Sequence, residues 1–214
     1  MQNSTTSPLT PTKLEYQNAD RSSKERNGML LVVTRLDERR YVSRITRHDG
    51  VSFLVKGTGH MFQLPHDLAH FAIESALQLS NGFWGSVAAG AVLPNMTHIT
   101  GRRKPRAGER STAVLKTNAA HLSEAEVLVR IFNAAFEHKQ SDGELRKLLA
   151  DRRMPPENSI HQISDEQIAA VRAAWFVVEG KWRNLRVGDE LQLNWPEGDQ
   201  RRQRGRSRSM RADR

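Results

Sequence analysis

Three short apolar stretches rich in β-branched residues open the hydropathy pattern of the chain. Met29-Leu30-Leu31-Val32-Val33-Thr34 is followed by a charged turn at Asp37-Glu38-Arg39, and then by Tyr41-Val42-Ser43-Arg44-Ile45-Thr46. Asp49-Gly50 is a hairpin signal ahead of Val51-Ser52-Phe53-Leu54-Val55, and strands joined by such tight connections form an antiparallel meander. Leu64-Pro65 then starts a helix, since proline fits the first turn, where its missing N–H would have no partner anyway. From His66 to Leu79 that helix is apolar around most of its circumference, which predicts a central position. Asn81-Gly82 stops it, and Gly82-Phe83-Trp84-Gly85 reads as a tight turn whose two aromatics enter the core.

The second half changes period. Ser123 with Glu126 matches a capping box before the amphipathic stripe Val127, Leu128, Ile131, Phe132 and Ala135, and Ser164 with Gln167 repeats the signal before Ile168, Val171, Ala174, Trp175 and Val178. Trp175 and Trp182 read as core. Leu191, Leu193 and Trp195 alternate with Gln192 and Asn194 and read as a terminal half-buried strand. The expected fold is α+β: a small antiparallel N-terminal sheet, joined most economically by that C-terminal strand, packed against four or five helices. One domain over residues 29–196 is expected, with a disordered leader at 1–28 and a disordered Arg-rich tail at 197–214.

Composition narrows the function classes. The chain has 214 residues and no cysteine, which excludes disulfides, a thiolate nucleophile and Cys-ligated metal clusters. No apolar run nears the roughly 18 residues of a membrane span, and the N-terminus lacks a signal-peptide core, so a cytoplasmic protein is expected. The net charge of +9 is unevenly spread. Residues 200–214 carry seven Arg against one Asp, residues 101–110 carry five basic residues against Glu109, and the remainder is close to neutral. A neutral body with basic appendages points to a polyanionic partner such as RNA or DNA, contacted by Arg102, Arg103, Lys104 and Arg106 in the loop and by Arg201, Arg202, Arg204, Arg206 and Arg208 in the tail. The tail has no aromatic residue on which bases could stack, so binding would run through phosphates with steep salt dependence.

A second constellation carries chemistry. His66, Asp67, His70 and Glu74 fall within one wedge of about 100° on an otherwise apolar helix. Two His four residues apart can aim at one ion, and Glu74, one turn on, is the candidate third ligand for a divalent metal such as Zn, Mn or Fe. The spacing resembles the His-Glu-x-x-His motif of zincin metallopeptidases, with Asp67 where the general-base Glu stands and one methylene shorter. Each residue also has a purely structural use: Asp67 at a helix N-terminus, the two His as donors to carbonyls, and Glu74 as the partner of an Arg. Elsewhere, Gly57-Thr58-Gly59 lacks the Lys of a phosphate loop, and Ser86 lacks the second glycine of a nucleophile elbow.

Taken together, LPHDLAHFAIE, NGFWGSVAAGAVLPNM, GRRKP and the SEAEVLV helix resemble an uncharacterised bacterial protein family with a Leu-Pro-His-Asp-Leu-x-His helix followed by Gly-Phe-Trp-Gly. The resemblance runs from about Val32 to Trp195 and implies a bacterial cytosolic domain without naming an activity. Two functional classes follow. The favoured one is a non-enzymatic binding or regulatory protein that contacts a polyanion through its basic loop and tail and needs no cofactor. The alternative is a metal-binding protein or metal-dependent hydrolase built on His66, His70 and Glu74, with Asp67 as base or as a carboxylate that orients a ligand.

Overall fold

The computed structural model describes residues 28–59, 63–151 and 163–196. The three N-terminal strands form as the hydropathy pattern predicts: β1 (Gly28–Arg35), β2 (Arg40–Thr46) and β3 (Ser52–Thr58) make an antiparallel meander. The turn between β1 and β2 is held by Asp37, whose Oδ1 accepts from the backbone N–H groups of Arg39 and Arg40 at 2.8 and 2.7 Å. A short β4 (Thr97–Thr100) pairs with β3, and the C-terminal β5 (Glu190–Pro196) pairs with β1. The sheet is antiparallel throughout, in the order β4-β3-β2-β1-β5. The alternation along β5 sets its register: Trp195, Leu193 and Leu191 face inward opposite Met29, Leu31 and Val33, while Gln192 and Asn194 stay exposed. Each such apolar side chain contributes about 1.5–3 kcal/mol on burial.

The described residues form six helices: α1 (His66–Leu77), α2 (Phe83–Ala88), α3 (Ala107–Thr117), α4 (Ala119–Glu137), α5 (Asp142–Ala150) and α6 (Asp165–Asn184). As its apolar circumference predicts, α1 is central. Leu68, Ala69, Ala72 and Ile73 are fully buried, and the helix packs on α6, α4 and β5. Ser164 and Gln167 close the expected capping box on α6, which buries Trp175 and Trp182. A second capping box, Ser141 with Glu144, starts α5.

Two readings of the sequence are corrected here. Ser123 does not begin a helix, because α4 starts at Ala119 directly after Asn118, which leaves Ser123 and Glu126 inside its run. Gly82-Phe83-Trp84-Gly85 is the entry to a short helix rather than an isolated turn, with Trp84 buried and Phe83 only partly so. The leader up to residue 27 and the Arg-rich tail lie outside the described residues. No helix among the described residues is long and apolar enough to cross a membrane.

Candidate metal centre

The first three turns of α1 place His66, His70 and Glu74 one above another, and each meets a different environment. His66 is largely exposed at the helix start, His70 is 2% exposed and Glu74 is wholly buried. The Glu74 carboxylate is saturated. Its Oε1 accepts from His70 Nδ1 at 2.7 Å and from the backbone N–H of Phe83 at 3.0 Å, and its Oε2 accepts from the N–H of Trp84 at 3.0 Å. Phe83 and Trp84 are the first residues of α2, so Glu74 satisfies two donors that a helix start otherwise leaves unpaired. The spacing His-x-x-x-Glu followed by Gly-Phe-Trp therefore describes one physical unit. The carboxylate caps α2 and at the same time fixes the orientation of the His70 ring.

Asp67 faces the other way. Its Oδ2 accepts from the Tyr41 hydroxyl at 3.2 Å, and its backbone carbonyl accepts from Trp84 Nε1 at 2.9 Å. Tyr41 reaches it by lying across its strand partner Gly57, where a Cβ would stand 2.0 Å from the ring. Burial, and then the Asp67 charge, push the Tyr41 pKa up, so the hydroxyl remains a donor. Asp67 thus links α1 to the sheet.

The outer edge of His70 faces α4. His70 Nε2 lies 3.1 Å from His66 Nε2 and 3.3 Å from Glu126 Oε1, and His66 Nε2 lies 3.3 Å from Glu126 Oε2. His66, His70 and Glu126 each bring one ligand atom into a group whose members all lie within 4.8 Å of one another, which could hold a metal ion. The position given to Glu74 on sequence grounds is filled by Glu126, and Glu74 stands behind His70 instead. Glu126 had been assigned to a helix cap. Its convergence with α1 is a tertiary contact between distant segments, and no local periodicity announces it.

With Glu126 ionised, no placement of protons pairs all three contacts at once. If His70 carries both protons and His66 accepts, the lone pair of His66 faces the Glu126 carboxylate. If His66 donates to Glu126 and His70 Nε2 is bare, the His70 lone pair faces that carboxylate. If both rings carry the facing proton, two N–H groups meet at 3.1 Å. A cation at the centre would let all three groups present lone pairs together. Ligand atoms about 2.1 Å from one ion, at angles of about 90–110°, lie about 3.0–3.4 Å apart. The three contacts fall in that range, the two to Glu126 through its two different oxygens, and one atom from each residue lies within 4.8 Å of the others. The Glu74 contact selects the required tautomer, with the proton on Nδ1 of His70.

Without an ion the cluster is an ion-pair network. Burial lowers the His70 pKa, but hydrogen bonds to Glu126 and Glu74 outweigh it and push the pKa up to about 9. The same hydrogen bond from His70 holds the Glu126 carboxyl below its usual range against a smaller opposing effect of burial. His66 and Glu126 also line an open depression of about 350 Å³ on α4, together with Arg130, Asn133 and Glu137.

The basic loop takes no part in this cluster. Arg102, Arg103, Lys104 and Arg106 are all exposed between β4 and α3, and Arg106 adopts a left-handed conformation, φ 54°, at the start of α3. Arg201, Arg202, Arg204, Arg206 and Arg208 lie outside the described residues. No family model, curated protein or solved structure matches the chain.

Proposed function

We propose that the chain is a divalent-metal-binding protein, with the ion held by His66, His70 and Glu126 and with Glu74 as the carboxylate that orients His70. The observation that carries this reading is the convergence of His66, His70 and Glu126 at 3.1–3.3 Å, three contacts that no placement of protons pairs while Glu126 is ionised and that one cation would. Two imidazoles and one carboxylate suit Zn, Fe or Mn. Three protein ligands beside an open depression leave room for a water or a substrate oxygen, which the ion would polarise, so metal-assisted hydrolysis is the reaction class this arrangement can serve. Asp67 does not act as the base in this reading, because its carboxylate is committed to Tyr41. The polyanion reading rests on the exposure of Arg102, Arg103, Lys104 and Arg106, which solvated surface cations share, so it ranks second.

Elemental analysis of untagged protein after equilibration with Zn, Mn or Fe tests the proposal. His66 and Glu126 have side chains 61% and 57% exposed, so His66→Ala and Glu126→Ala remove ligands without opening the core. About one equivalent of metal in the parent protein and none in either variant is the expected result. Folded parent protein that takes up no metal would overturn the proposal.

A further inference from the structure

Arg130 stands one helical turn beyond Glu126 on α4. Glu followed four residues later by Arg is the favourable order for a surface ion pair on a helix. The pair does not form here, because the Glu126 carboxylate is turned toward His66 and His70. Glu137, two turns further along, accepts instead from Asn133 Nδ2 at 3.0 Å. Among the described residues no carboxylate pairs with Arg130, although two lie on its own face of the helix. Most exposed cations are simply solvated. Arg130 differs in that its side chain lines the same depression as His66 and Glu126, next to the point where three ligand atoms converge.

An ion in that cluster would add two positive charges beside the guanidinium, and among the described residues Glu137 is the only other carboxylate lining the depression. A wall of this kind selects an anionic oxygen group. Guanidinium presents parallel N–H donors that match a carboxylate or a phosphate, and a metal with open positions takes an oxygen of the same group or of its neighbour. Building on the metal reading above, we infer that the depression binds a small oxyanionic ligand, a carboxylate or a phosphate, with one oxygen on the ion and another hydrogen-bonded to Arg130.

Protein loaded with Co(II), whose visible spectrum reports its ligands, is titrated separately with inorganic phosphate and with succinate. The comparison uses the parent protein, Arg130→Gln, and Lys116→Gln as a control that removes an exposed charge elsewhere, on α3. At least one probe should perturb the cobalt spectrum of the parent, and the probe that does so tells phosphate from carboxylate recognition. Loss of a charge-assisted hydrogen bond should weaken that probe about tenfold or more in Arg130→Gln. Lys116→Gln should bind like the parent, and all three proteins should bind cobalt equally. If neither probe binds, or if Arg130→Gln and Lys116→Gln behave alike, the inference is overturned while the metal site stands. If the parent takes up no cobalt, the metal reading has failed and the inference falls with it.

Discussion

A Cβ placed on Gly82 would lie 2.6 Å from Oε2 of Glu74. The chain passes so close beneath this carboxylate that only glycine leaves it room to reach the N–H groups of Phe83 and Trp84 while also holding His70. The glycine after α1 is thus tied to the histidine within α1 through one buried acid.

Gly82→Ala should therefore act at a distance. The carboxylate is the end of a flexible side chain and can swing aside, but doing so leaves three buried donors without their acceptor. The expected destabilisation is about 1–3 kcal/mol, measured by urea denaturation, with weaker metal uptake in the folded fraction. Glu74→Gln should do the same by a different route, since its NH₂ group would face donors. Losing this orienting contact should cost about 10–100-fold in metal affinity. Unchanged affinity in both variants would show that Glu74 serves the α2 start alone.

The metal-free protein should lose stability as pH rises. His70 has a folded pKa raised from 6.5 to about 9. Its contribution is then fully present below the unfolded value and drains away as the pH climbs through about 9. Urea midpoints in EDTA, taken at about pH 6 and about pH 9, should fall over that interval. Glu126→Gln removes one of the carboxylates that favour the charged ring and should flatten the decline. A profile equally steep in both proteins would place its origin outside this cluster.

Elements with a local cause were legible in the sequence. The alternation at Leu191, Leu193 and Trp195 gives β5 and its inward face, and the all-round apolar character of 66–79 gives the central helix. The strand β4 was not read, because Thr97 and Thr100 are exposed and it joins the sheet at its edge through pairing with β3. The two His of the site were legible because four residues along a helix are neighbours in space. Glu74 lies on the same helix face as the two His but outside the group that could hold an ion, since the donors it satisfies belong to the next helix. Glu126 was invisible as a site residue because only the packing of α4 on α1 brings it to His70.

The helix starts give a sharper test of where local pattern succeeds. Ser141 and Ser164 each accept from the backbone N–H three residues on, at 3.3 Å in both cases, and alanine at either should cost about 1 kcal/mol. Ser123 has the same sequence signature with Glu126 but lies exposed inside α4. Ser123→Ala should be neutral, or should stabilise by a few tenths of a kcal/mol through better helix propensity. A cost at Ser123 equal to the other two would mean that α4 begins later than Ala119.

Tyr41→Phe separates the two faces of α1. The hydroxyl lost is the one that donates to Asp67 Oδ2, and the ring that remains still covers Gly57 and packs edge-on against Trp182 at 5.5 Å. The variant should be less stable by about 0.5–1.5 kcal/mol, the usual worth of such a hydrogen bond, with an unaltered fold by circular dichroism. Its metal content should match that of the parent, and so should that of Asp67→Asn, whose side-chain oxygen can still accept from Tyr41. The reason is directional: Asp67 anchors the helix start to the sheet, whereas His66 and His70 look toward α4. Metal lost from Asp67→Asn but retained in Tyr41→Phe would return Asp67 to the centre and require its carboxylate to turn away from the sheet.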